Sequence, residues 1–180
     1  MVKKKSSKKK GNTFCDTHAC RPLQPLVVRE ELVQNLVASA QMAPSCFSQE
    51  SWRFEFVYGE RSLELVRDAL EENLVWASTA SMFVAVLASK RKGCVPEEAS
   101  WHFFDVGIAT GFMIMRGTDL GIVLEPLTGF DRNKVHAALK LDKDTTVVTL
   151  LAVGRYLADP VDELRHRIRE LRDEREDLPV

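Results

Sequence analysis

The stretch from Glu97 to Leu120, "EEASWHFFDVGIATGFMIMRGTDL", most limits what this chain can become. Its pattern is helical and apolar on nearly every side, and a helix of that kind must be covered all round. Gly107 and Gly111, four residues apart, leave room for another backbone to come close. A chain of 180 residues has side chains for one core and few to spare for wrapping such a helix. The expected solution is a homodimer in which two copies cover each other's long helix, with an interface resembling a core cut in half.

The rest of the chain supplies layers. "VVREELVQNLVASAQMA" sets Leu32, Val33, Leu36, Val37 and Ala40 on one helical face and stops before Pro44. "RFEFVYG" alternates Phe54, Phe56 and Tyr58 against Arg53, Glu55 and Val57, the period of a strand. "SLELVRDALEENLVWA" returns to the helical period through Leu63, Val66, Leu70 and Leu74. "SMFVAVLAS" is apolar on both faces, as in a central strand, and runs into the turn-like "KRKGCVPEE". After the long helix, "GIVLEPLTGF" is Gly- and Pro-marked and predicts a loop. "DRNKVHAALKL" predicts a short helix capped by Asp131, and "TTVVTLLAVG" another interior strand. The charged "DPVDELRHRIRELRDERED" keeps Val161, Leu164, Ile168 and Leu171 as the seam of a last helix. The order predicts an α+β fold, with about three or four strands and helices packed over them.

Charge and cysteine content narrow the class. The formal net charge is -1, yet Lys3, Lys4, Lys5, Lys8, Lys9 and Lys10 crowd the start, leaving the body acidic. Such a body is a poor nucleic-acid binder. The Lys-Ser tail, residues 1–14, has no apolar content and is expected to be disordered, with one domain over 15–180. No apolar run reaches the roughly 20 residues needed to span a bilayer, and none follows the tail as in a signal peptide. A soluble, cytoplasmic protein is the expectation, with no membrane partner. "CDTHAC" (15 to 20) puts His18 between two cysteines, but structural metal sites repeat paired cysteines. Cys15, Cys20, Cys46 and Cys94 are therefore expected to be reduced thiols, with no metal. Neither of the common glycine-rich phosphate loops occurs, nor does HExxH or GxSxG.

Weaker signals fall in a definite order: "THACR" (17 to 21), a helix, "APSCFSQESW" (43 to 52), a strand, "NLVWASTASMFVAVLA" (73 to 88), "DVGIATGFMIMRGTDLGIVLEPLTGFDRNKVHAAL" (105 to 139) and "VVTLLAVG" (147 to 154). In order and spacing these blocks resemble the nitroreductase family of FMN-dependent oxidoreductases. The resemblance implies a central, mostly antiparallel sheet flanked by helices, with the long buried helix at a dimer interface. It also implies FMN as cofactor, NAD(P)H as hydride donor, and a small electrophilic acceptor such as a nitroaromatic or a quinone, in ping-pong turnover.

The same resemblance names the site. Ser45, Ser48 and Glu50 occupy the loop that forms one wall of the flavin pocket, with Trp52 beneath it as core. Backbone N–H groups near Thr128 and Gly129 take the place of the family's contact to flavin N5. His18 and Arg21 stand where the family has basic residues, Arg21 beside the N1 edge. Arg155, Arg165 and Arg167 are candidates for the phosphate. Phe103, Phe104, Phe112 and Met113 are candidates for the acceptor slot, and no residue is required for acid–base catalysis. Several positions depart from the family: Thr17 replaces its phosphate-binding Arg, Ala19 its Ser, Ser48 its ring-binding Asn, Glu50 its Gln and Ser51 its Pro. A carboxylate at Glu50 repels an electron-rich flavin unless it points away or pairs with Arg53. The alternative is a non-catalytic nitroreductase-fold dimer with weakened or lost flavin binding.

Overall fold

The computed structural model describes residues 23–89 and 101–155. The Lys-rich tail, "CDTHAC", all of "KRKGCVPEE" and the last charged segment lie outside the described residues.

Four strands make one sheet in the order β1-β2-β4-β3, every neighbouring pair antiparallel. They are β1 (Trp52–Tyr58), β2 (Met82–Ser89), β3 (Val123–Leu127) and β4 (Thr145–Gly154). β2 lies between β1 and β4 and is buried along all but its last residue. Strand side chains alternate between faces, so the even residues Met82, Val84, Val86 and Ala88 enter one core. Phe83, Ala85 and Leu87 enter the other. That division explains an unbroken apolar run: both faces of this strand are covered.

The first core joins the sheet to α1 (Glu30–Gln41) and α3 (Trp101–Asp119). The second joins it to α2 (Glu60–Arg67) and α4 (Arg132–Ala138). Leu36 and Ala40 are the buried residues of α1, which ends at Gln41 with Met42 as its C-cap, just short of Pro44. Asp131 caps α4 as its sequence predicts, accepting from the backbone N–H groups of Asn133 at 2.9 Å and Lys134 at 3.1 Å.

Three expectations need correction. "GIVLEPLTGF" is not a loop but contains β3, at the sheet edge, where Pro126 can lack an N–H without breaking the ladder. The segment 62–77 is not one helix. α2 stops at Arg67 because the chain turns to pair with another segment: Asp131 N–H donates to Ala69 O at 2.8 Å and Glu71 N–H to Gly129 O at 3.0 Å. A separate 3-10 segment then runs over Glu72–Thr79. In β1 the best-buried residue is Val57, which joins the α2/α4 core, whereas Tyr58 is exposed at the strand end.

Within one chain α3 is buried on one side only. Val106, Ala109 and Met113 face the sheet. Gly117 lets α3 approach β3, since a Cβ there would collide with Leu124 and press on Ile122. On the opposite side Phe104 is 59% and Met115 65% exposed. Cβ atoms added at Gly107 or Gly111 would meet nothing within 4 Å. Among the described residues, no helix is long and apolar enough to cross a membrane.

Candidate functional site

Among the described residues, the loop after α1 has the most unusual backbone. Phe47, Ser48 and Glu50 all have left-handed φ, at 49°, 55° and 45°. Each such residue without glycine's freedom costs roughly 1–3 kcal/mol and persists only where the surroundings enforce it. Cys46–Ser48 forms a 3-10 turn with Ser45 at its N-cap position, yet the Ser45 side chain does not cap that turn. Its Oγ instead accepts from Glu50 N–H at 3.1 Å, across the loop. Ser48 and Glu50 are exposed, and Phe47 is 80% exposed. The Arg53 guanidinium turns to Glu55, at 3.2 Å, rather than to Glu50.

The loop is fastened to its surroundings at both ends. Cys46 N–H donates to Asp105 Oδ2 on α3 at 3.1 Å. Ser51, fully buried, donates its hydroxyl to His102 O at 3.2 Å, and its carbonyl accepts from Ser89 N–H at 2.8 Å. The family's proline position thus holds a hydroxyl that bonds the first turn of α3. Trp52 opens β1 and packs on the α1/α3 core, a core residue as expected. Cys46 is disulfide-bonded, which corrects the reduced-thiol expectation; its partner lies outside the described residues.

Thr128 and Gly129 are held differently. They follow β3, with Thr128 exposed and Gly129 half-buried, and Phe130 enters the α2/α4 core. Gly129 carries Glu71 and Asn73 against it: a Cβ there would lie 2.9 Å from Glu71 Oε2 and 3.3 Å from Asn73 Oδ1. Neither Glu71 nor Asn73 is marked by local sequence pattern. Both fall inside the expected helix 62–77, and only the pairing of 69–71 with 129–131 brings them to this place.

Ser45, Ser48 and Glu50 are therefore brought together, as are Thr128 and Gly129, but the two groups are not joined within one chain. The loop sits on the α1/α3 face beside β1, and Thr128–Gly129 follows β3 on the α2/α4 side. β1 and β3 are opposite edges, three strand spacings or roughly 14 Å apart. Arg155 closes β4, where its backbone bridges Gln24, and its side chain is exposed. His18, Arg21, Arg165 and Arg167 lie outside the described residues. Of the acceptor-slot candidates, Met113 is buried core, while Phe103, Phe104 and Phe112 are exposed. No group of His, Cys, Asp or Glu among the described residues is arranged to hold a metal ion.

Apart from the carboxylates of Glu50 and Glu71, this donor set is of a kind that suits FMN. The hydroxyls of Ser45, Ser48 and Thr128, the Asn73 amide and the Gly129 backbone are neutral groups of the kind that meet the carbonyls and ring nitrogens of a flavin edge. Arg155 is a cation of the kind that meets its phosphate.

No protein-family model matches the sequence. No curated protein matches it either. Solved structures do. A nitroreductase family protein from Clostridium difficile 630 is 19% identical, with a TM-score of 0.70 over 89% of this chain and 88% of its own. One from Clostridium novyi NT is 21% identical, with a TM-score of 0.68 over 78% and 80%. An oxidoreductase containing FMN is 22% identical, with a TM-score of 0.68 over 93% and 89%. The chain thus has the fold of nitroreductase-family proteins, as the order of its sequence blocks implied.

Proposed function

We propose that this protein is a cytoplasmic FMN-dependent oxidoreductase, passing hydride from NAD(P)H through flavin to a small electrophilic acceptor, a nitroaromatic, quinone or similar molecule. The observation that carries the reading is the loop at 45–51, where three left-handed residues without glycine are enforced at the place the resemblance assigns to the flavin wall. Strain of this kind gathers at ligand sites. The fold shared with an oxidoreductase containing FMN supports it.

FMN, when bound, supplies the redox-active ring, so the chain itself needs no acid–base pair. Ser45 and Ser48 bind one edge of the ring, and the Thr128–Gly129 backbone binds another. Arg155, with Arg165 and Arg167, neutralises the phosphate, and Arg21 stands beside the N1 edge of the ring. Because the loop and Thr128–Gly129 occupy opposite edges and faces of one sheet, a single ligand touches both only when they come from two chains. The open apolar face of α3, with Phe104, Gly107, Gly111 and Met115, is where the second copy sits.

The test is reconstitution. Purified protein incubated with FMN and freed of excess should stay yellow and should oxidise NAD(P)H when given a nitroaromatic or a quinone, with parallel double-reciprocal lines. Protein that stays colourless after excess FMN favours the second reading, a nitroreductase-fold dimer without flavin. Glu50 is the observation behind that reading, an exposed acidic residue in the loop where the family carries Gln.

A further inference from the structure

Asp105 is an expensive residue in an odd place. It lies on the buried side of α3, next to Val106 and one turn from Ala109, and is only 4% exposed. A carboxyl group placed among apolar side chains is destabilising unless it is hydrogen-bonded. Among the described residues its partner is one distant backbone group: Oδ2 accepts from Cys46 N–H at 3.1 Å.

That N–H is the first of the 3-10 turn Cys46–Ser48, and the first N–H groups of any helical turn lack an internal acceptor. An N-cap side chain, here that of Ser45, serves the second or third of these groups and not the first. The Ser45 Oγ makes no cap at all and accepts from Glu50 N–H on the far side of the loop. The turn is capped instead from another helix, far away in sequence. Ser51 Oγ–H to His102 O ties the other end of the loop to the same turn of α3. The left-handed residues Phe47, Ser48 and Glu50 lie between these two ties.

We propose that Asp105 is a positioning residue for the flavin loop: it caps the Cys46–Ser48 turn from α3 and so keeps Ser45 and Ser48 in the shape that receives the ring. The proposal rests on the flavin reading above for what the loop binds, though not for the latch itself. Removing the acceptor frees the Cys46 N–H, and the left-handed residues relax. An asparagine keeps an acceptor oxygen in the same place.

The test compares Asp105→Ala and Asp105→Asn with the unaltered full-length chain, keeping the Cys46 disulfide intact because that bond also restrains the loop. Amide hydrogen exchange is read at 46–50 and in β2 and β4 without FMN, and FMN affinity by quenching of flavin fluorescence. Asp105→Ala should speed exchange at 46–50 by tenfold or more, leave β2 and β4 unchanged, and weaken FMN by about tenfold. Asp105→Asn should stay within about threefold of the unaltered protein in both readouts. Should the alanine variant not fold, Asp105→Leu refills the volume without an acceptor and replaces it. Unchanged exchange at 46–50, equal losses in the alanine and asparagine variants, or failure of both alanine and leucine variants to fold beside a normal asparagine variant would each overturn the proposal. An unaltered protein that takes up no FMN overturns the flavin reading, and exchange alone then decides the latch.

Discussion

Loop 45–51 and segment 128–131 are proposed to touch the same ligand, yet they are built in opposite ways. The loop is held in strained backbone by a few polar ties, with its aromatic residue, Phe47, turned outward. The segment is unstrained and continuous with the core: its backbone pairs with 69–71, Phe130 is buried, and Asp131 caps the next helix. The difference teaches a division of labour. One wall of the site is rigid because the fold itself requires it. The other is shaped by a few polar bonds, two of them reaching across the fold to α3, that contribute little to the core and can change without dissolving the molecule.

Substitutions on the two walls sharpen that contrast. Phe130→Ala opens a cavity in the α2/α4 core and should cost about 3–5 kcal/mol of unfolding free energy in a denaturant titration. A loss below about 1 kcal/mol would mean that the segment is not anchored as described. Asp131→Ala removes the cap from α4 and should cost about 1 kcal/mol, seen as a lower thermal midpoint with the fold retained. On the loop, Ser48→Asn should shift stability by only a few tenths of a kcal/mol, in the stabilising direction, because asparagine tolerates the left-handed backbone at φ 55°. The same change returns the longer amide side chain and should tighten FMN binding; looser binding would show that the loop serves another ligand.

How far the sequence was legible follows the range of the interactions involved. β2, β4 and α4 could be read directly, since two-faced burial and an N-cap aspartate are local signatures. β3 was hidden by Pro126, which a breaker rule reads as a loop although an edge strand accepts it. The break after Arg67 was hidden because helical period continues through Leu70 and Leu74, while pairing with 129–131 overrides it. In the candidate site, Ser45, Ser48, Glu50, Thr128 and Gly129 were reachable through block order. Glu71, Asn73 and Asp105 were not. Their positions depend on contacts across the fold, and a lone acid on an apolar helix looks like any other interruption until its partner is seen.

The central claim is that one flavin is held by the loop of one chain and by Thr128–Gly129 of a second. FMN uptake measured by fluorescence quenching across a dilution series, alongside the oligomeric state in the same samples by sedimentation, tests it most directly. The account predicts that bound FMN falls together with the dimer as protein is diluted, at one flavin per chain in the dimer. Full FMN binding by an isolated chain, or a stable dimer that never takes up FMN, would contradict it.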